Sequence, residues 1–308
     1  MEKMIINKLP ARTWNRLNVN EAAIDWDEAQ TKELAGETYS ACGAEPASPV
    51  RIRVDGTEAY SRKRIRIEAA EGSRITVFED LRAEGRLAVH TELEAGKNAV
   101  IRLIQLQSAG ADALLYSEVT GNCAENGRVE LTQILMGEGG LYSDSRFELK
   151  GDGSGLKAGI GYLGQKNQKI DINLVANHYG KHTESEIEAN GALKDSAQKV
   201  FRGTIDFKTG SSDSVGNEKE TVLMLGDGAV NKTVPLILCA EENVVGNHGA
   251  TIGELDADTL FYFESRGISK AQAENILARA SIERLARGIG DSGLEEQIMN
   301  KLNEELEE

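Results

Sequence analysis

Seven side chains of this sequence offer a sulfur or imidazole donor to a transition metal, or a nucleophile near neutral pH: Cys42, Cys123 and Cys239, and His90, His178, His182 and His248. An odd number of cysteines with no CxxC argues against a disulfide framework and against a self-contained zinc or iron–sulfur site of that type; reduced thiols in a cytoplasm fit better. His178 and His182 stand four apart with Glu184 nearby. On a helix that interval puts two imidazoles on one face, as a metal pair needs. In a strand it leaves them about 13 Å apart, too far to share one ion. Asn177 and Gly180 give the segment the texture of a turn. His248 lies in Gly246-Asn247-His248-Gly249-Ala250-Thr251-Ile252-Gly253, whose small residues leave the ring open to a partner or ligand. Gly96-Lys97-Asn98 and Gly180-Lys181-His182 lack the loop and the Ser/Thr of a GxxxxGK[ST] phosphate cradle, and no GxSxG occurs. Gly151 to Gly155 opens more strand pattern rather than a helix, and reads as a turn.

The elements that must carry these residues are mostly strands. From about Val50 to Cys239, short runs alternate with period two: Arg64 to Glu68, Arg74 to Phe78, Arg86 to His90, Ala99 to Ile104, Ala113 to Tyr116, Arg128 to Ile134, Ser145 to Leu149 and Lys169 to Leu174. Gly72, Gly85, Gly96, Gly127 and Gly139-Gly140 punctuate them. Strands at roughly 10–14 residue intervals fit a sandwich, a barrel or a stacked solenoid. The pattern runs on without a helix. Aromatic residues are only 5% of the 308-residue chain, so the core must be small and aliphatic. Both features favour coil stacked on coil, although no strict repeat is present.

The ends differ from this body. Leu9 to Leu17 begins an arm in which Trp14 and Trp26 supply the burial that docks it, followed by a helix-compatible stretch from Asp25 to Glu37. Residues 1–19 lack the continuous apolar run of a signal peptide, and no segment has the apolar length to span a bilayer. At the other end, Ser269-Lys270-Ala271-Gln272 is a capping box ahead of an apolar face of Ala273, Ile276, Leu277 and Ala280, and Gly288 and Gly290 stop that helix. A second box, Ser292 to Glu295, opens a helix with Leu294, Ile298, Leu302 and Leu306 in one stripe, which either packs home or receives a partner helix. The net charge of −15, from 35 basic and 50 acidic side chains, favours solubility and repels nucleic-acid backbones.

A series of motifs in one order then carries a resemblance. His182-Thr183-Glu184-Ser185, Gly191-Ala192-Leu193, Val200 to Ile205 with its Phe-Arg-Gly centre, Leu223 to Asp227, Pro235 to Leu238, His248-Gly249-Ala250-Thr251 and Leu260 to Ile268 resemble successive segments of SufB/SufD proteins, the scaffolds of SUF iron–sulfur cluster assembly. The likeness runs in register from Asn177 to Ala286 and more faintly from Leu9 to Asn20 and through the strand-rich middle. It implies a mainly β protein: a right-handed parallel β-helix with a short N-terminal arm and a C-terminal helical region. The division expected is a partly helical arm over residues 1–45, a β-helix core over 46–253 and a helical region over 254–308.

The resemblance also implies a role. Such a chain is a cytoplasmic, non-catalytic scaffold that pairs with a SufB-like subunit, or with itself, and binds a SufC-like ABC ATPase through its helical region. Leu260, Phe261, Tyr262, Phe263, Arg266, Ile276 and Leu277 mark that ATPase-binding region. A transient Fe–S cluster would be shared at the subunit interface, with no nucleotide on this chain and neither nucleic acid nor membrane as partner. His248 matches the family histidine at the nascent cluster. Glu220 stands at the position of the sulfur-accepting cysteine of SufB-type chains, and Gly246 where SufD members often carry a cysteine. Both departures weaken thiol ligation here, while Gly249, at a position that is glutamate in SufB-type chains, points to a SufD-like subunit. Glu220 offers a hard oxygen ligand instead. Cys239 is near enough in sequence to substitute, although a small buried apolar role suits it better. Two other readings remain: a sole homodimeric SufB-like scaffold with the ATPase, and a β-helix carbohydrate-active enzyme, which the low aromatic content disfavours.

Overall fold

The computed structural model describes residues 2–13, 15–43, 46 and 48–307. Trp14, expected to help dock the arm, lies outside the described residues. The chain starts with β1 (Glu2–Ile6), β2 (Ala22–Trp26), β3 (Lys32–Glu33) and β4 (Glu37–Ala41). The strand-rich body follows: β5 (Val50–Gly56), β6 (Tyr60–Ala69), β7 (Arg74–Ala83), β8 (Arg86–Ala95), β9 (Val100–Ala109), β10 (Leu114–Cys123), β11 (Arg128–Gly137) and β12 (Gly140–Leu149). It continues through β13 (Gly155–Gly164), β14 (Lys169–His178), β15 (Glu184–Leu193), β16 (Gln198–Phe207), β17 (Ser214–Met224), β18 (Val230–Cys239) and β19 (Val244–Glu254). Three helices close the chain: α1 (Ala257–Glu264), α2 (Lys270–Arg287) and α3 (Ser292–Glu307).

From β5 onward, odd-numbered strands pair only with odd and even with even, always in parallel. Each coil therefore gives one strand to each of two facing sheets, and the fold is a parallel β-solenoid. The odd sheet has eight strands, and β3 and β4 extend the even sheet at β6. Register advances by 26 residues from Tyr60 to Arg86 and by 32 from Gln198 to Val230, so later coils hold longer corners. Inward pleats fill the lumen with aliphatic side chains such as Ile101, Leu115, Val129, Leu141 and Ile172, all buried. Burying each contributes about 1.5–3 kcal/mol.

One corner column explains both the turns and the paired histidines. Gly72, Asn98, Asn126, Gly153, His182 and Asp213 occupy equivalent positions in successive coils, all with φ between 53° and 69°. Each from Gly72 to Asp213 donates its backbone N–H to a carbonyl one coil on, as Asn126 does to Asp152 and His182 to Ser212. Asn, Asp and Gly tolerate this left-handed backbone best, and His182 is there as a turn residue. Close stacking at the adjacent corner needs Gly151, where a Cβ would lie 2.0 Å from the backbone nitrogen of Glu125.

A parallel sheet is stable when both faces are covered, and each end of the chain covers one. The β1–β2 hairpin lies on the even sheet, where Ile6, Ile24 and Trp26 pack against Tyr60, Ala88, Leu114 and Tyr116. Leu9 and Val19 extend that contact to Val234. The helix expected between Asp25 and Glu37 is absent: the segment forms strands and a single 3-10 turn, Glu28–Gln30, because its backbone pairs with β1 and β6. The tail covers the odd sheet. Ala278, Ile282, Ala286, Leu294, Ile298 and Leu302 pack on Phe78, Ile104, Ile134, Met136 and Leu163.

The stripe of α3 thus packs home. The Ser269–Gln272 capping box forms as expected, but α3 is capped by Asp291, whose carboxylate accepts from the Leu294 N–H at 2.9 Å. The buried face of α2 is turned from the expected one. Ala273 is buried but Ala280 is exposed and Ile276 is 46% exposed, because the i, i+4 run Ala278-Ile282-Ala286 meets the sheet. Among the described residues no helix is long and apolar enough to cross a membrane.

The lumen is not wholly apolar. Glu79 is fully buried and accepts from Thr91 Oγ1 at 3.1 Å and Gln105 Nε2 at 2.7 Å, and Gln105 Oε1 in turn accepts from Gln133 Nε2. Burial without a cationic partner raises the Glu79 pKa to about 7, against the donated hydrogen bonds. A folded pKa above the unfolded value means the penalty is absent below about pH 4.5 and complete above pH 7. We expect Glu79→Gln to match the wild type in urea unfolding at pH 4 and to exceed it at pH 8, by up to about 3 kcal/mol. Parallel stabilities across that range would show that Glu79 is not held neutral.

Candidate functional site

β19 is the last strand of the odd sheet and pairs with β17 alone, Glu218 opposite His248 and Glu220 opposite Ala250. Among the described residues no further coil covers it, and residues 245–252 are all exposed. Its pleat is nonetheless defined. A Cβ on Gly246 would point at Ile237 and Phe207 of the even sheet, 3.1 Å from each, so position 246 faces across the lumen. With a period of two, His248 faces the same way. The imidazole therefore stands at the mouth of the solenoid, above its hollow. The lumen column that reads Leu131, Ala158, Ile187 in earlier coils becomes Glu218 and then His248 at this end.

Beneath His248 lies a buried charged cluster. Glu220 is 1% exposed and pairs with the Lys199 ammonium, accepts from Tyr162 Oη at 3.1 Å and from Thr233 Oγ1 at 2.5 Å. Burial pushes the Lys199 pKa down, and the Glu220 carboxylate opposes that shift. Glu218 is 4% exposed, and its Oε2 has no hydrogen-bond partner among the described residues. Burial, then the neighbouring Glu220, raises its pKa to about 8. The carboxyl of Glu218 rests on Gly203, where a Cβ would sit 2.3 Å from Oε1.

The Phe201-Arg202-Gly203 motif thereby acquires three separate reasons. Phe201 fills the lumen, and Gly203 makes room for Glu218. Arg202, on the outer pleat and fully buried, grips Asp171 and donates to the Val19 carbonyl, which ties down the arm.

The sequence candidates do not converge into one metal cage; among the described residues no three His, Cys, Asp or Glu side chains do. His248 and Glu220 sit on adjacent strands at the mouth, one open and one sealed. Cys239, expected to be buried, is exposed at the end of β18 with its Sγ 3.0 Å from the Glu241 carbonyl, because the last even strand also has no coil above it. Cys42 is exposed, whereas Cys123 is buried and its pKa is raised by burial to about 12, which keeps the thiol protonated and inert. His178 is sealed between Thr183 Oγ1 at 2.7 Å and Ser185 Oγ at 2.8 Å, and burial lowers its pKa to about 4. It is a neutral core residue and shares no ligand with exposed His182.

In the tail, Phe261 is 72% and Tyr262 54% exposed, and Ile276 of α2 is exposed as well. Arg266 stacks 3.7 Å over the Tyr262 ring, and Leu260, Phe263 and Leu277 are half-buried. Sequence reasoning missed Glu218 and Lys199. The spacing of Glu218 and Glu220 by two put them on one face of a strand, but nothing in Asn217 to Glu220 marked that face as the inward one.

A family model described as SUF system FeS cluster assembly, SufBD core domain, matches residues 52–281. The chain is 25% identical over 217 residues to the iron–sulfur cluster assembly protein SufD of Bacillus subtilis, covering 70% of this chain and 50% of that one. It is 24% identical over 274 residues to SufD of Escherichia coli, covering 86% and 65%. It is 27% identical over 235 residues to a chloroplastic SufBD family protein of Arabidopsis thaliana, covering 72% and 42%. The chain thus spans about half the length of these curated relatives.

The contact between Glu218 and Gly203 is open to a direct test. We expect Gly203→Ala to destabilise the chain by about 1–3 kcal/mol through overpacking, and Glu218→Ala to relieve most of that loss in the double variant. Additive losses in chemical denaturation would show that the two residues are not in contact.

Proposed function

Because the chain belongs to the SufBD core-domain family of SUF iron–sulfur cluster assembly, we propose that it is a non-catalytic scaffold subunit that mates through the open mouth of its solenoid and is moved by an ATPase on its helical tail. The observation that carries this reading is the uncovered last coil. β19 presents an unpaired backbone edge, with His248 and exposed Ile252 on its inward pleat and exposed Val245 on its outward one. An edge of this kind is a template for pairing with another chain. A SufB-like subunit seated there would place its own thiols beside His248, and the nascent cluster, the cargo of the complex, would form across the seam.

The tail supplies the second contact. Phe261, Tyr262 and Ile276 expose apolar area that a SufC-like ATPase would bury, with Arg266 beside it. Only two residues separate β19 from α1. A pull on α1 therefore acts directly on the strand that carries His248, while α2 and α3 brace the same sheet. ATP-driven closure of the motor would strain or open the seam at the point where the cluster is held.

Anaerobic co-expression with the ATPase, with and without the SufB-like chain, followed by mass measurement and iron and sulfide analysis, tests this scheme. We expect a three-subunit complex. His248→Ala should assemble normally but retain about tenfold less iron and sulfide. Phe261→Ser/Tyr262→Ser should lose the ATPase while its melting temperature holds, since both side chains are already in solvent. Normal cluster loading by His248→Ala would remove the histidine from the scheme, and a complex containing only this chain and the ATPase would favour the homodimer.

A further inference from the structure

Charge is compensated unevenly at the solenoid mouth. The buried cation nearest the two glutamates, Lys199, is bonded to Glu220, as are Tyr162 and Thr233. Glu218 receives none of these bonds, and its Oε2 is buried with an unfilled acceptor position. A carboxyl oxygen buried without a hydrogen-bond partner costs free energy unless a proton or a cation joins it. The next residue along the same lumen column toward solvent is His248. The column is aliphatic one coil earlier, at Ile187, so the carboxyl and the imidazole replace core residues only where the solenoid opens.

We infer that Glu218 is a second ligand to the metal that His248 engages: the two form a nitrogen–oxygen half-site for a divalent borderline cation of the ferrous class, reached from the lumen mouth. The inference rests on the reading of His248 as a cargo ligand and adds the oxygen donor to it. An imidazole and a carboxylate suit iron(II) and its first-row neighbours. Two donors leave coordination positions open for a mating subunit or sulfide. Gly203 gives the carboxyl its place: a side chain there would occupy the space its oxygens fill. Glu220, bound on both oxygens, backs the site and does not compete for the ion.

The test uses cobalt(II) as a paramagnetic probe for the ferrous ion, added to the full chain while the imidazole proton resonances are followed by NMR, which detects weak half-sites. In the wild type, His248 should shift and broaden before His90 and His178. Glu218→Gln, close in shape and free of the buried charge, should keep the melting temperature and need at least about tenfold more cobalt for the same effect at His248. In His248→Ala, Glu218→Gln should cause no further loss of cobalt binding. If Glu218→Gln titrates like the wild type, Glu218 is not a ligand. If His248 stays unperturbed at millimolar cobalt in the wild type, the half-site does not exist. Iron and sulfide retention by His248→Ala in the assembled complex is a separate readout, so the role of His248 can stand while that of Glu218 falls.

Discussion

A parallel solenoid satisfies each coil's backbone with the coils on either side, and so it cannot finish without leaving one rung unpaired. Most of this molecule can be understood from that constraint. From β7 to β16 each strand is sealed by the coils on either side, and the inward pleats are mostly aliphatic, with hydrogen-bonded Glu79, Gln105 and Gln133 among the polar exceptions. At β18 and β19 the sealing stops. The same inward pleat meets water there, and its side chains change from Ile187 to Glu218 and His248. The last rung offers both a free backbone edge and a view into the lumen.

The outer faces pose a second problem, and the two ends of the chain solve it. The hairpin and arm cover the even sheet, while α2 and α3 cover the odd one. Arg202 is the fastening of the arm: fully buried, paired with Asp171 and bonded to the Val19 carbonyl. Breaking such a buried pair from one side leaves an uncompensated charge. Lys199 and Glu220 stand in the same relation inside the lumen. The charged groups at this end thus divide into closed pairs, which fix the shape, and Glu218, which is not closed.

The tail combines two surfaces in one short stretch. Its alanine- and isoleucine-rich stripe is committed to the odd sheet, yet Phe261, Tyr262 and Ile276 face solvent. A tail anchored on one side and apolar on the other can transmit a load. Only Leu255 and Asp256 separate this tail from the strand bearing His248.

The sequence by itself determined the strands, the turns, the C-terminal helices and the family, because period-two alternation, capping residues and ordered motifs are local signals. It also singled out His248, whose small neighbours mark an open backbone. It did not determine which way α2 would face, since Ala273, Ile276 and Ala278 are all apolar and only the sheet beneath selects among them. It misjudged the Asp25–Glu37 stretch, whose helix-compatible composition yields to pairing with β1 and β6, and Cys239, whose apolar neighbours give no hint that no coil lies above it. Glu218 was illegible for the same reason: in Asn217-Glu218-Lys219-Glu220 every residue is polar, and only tertiary structure decides that 218 and 220 turn inward. Burial, pairing and the position of the last rung are properties of residues tens of positions apart, and they exist only once the coils have stacked.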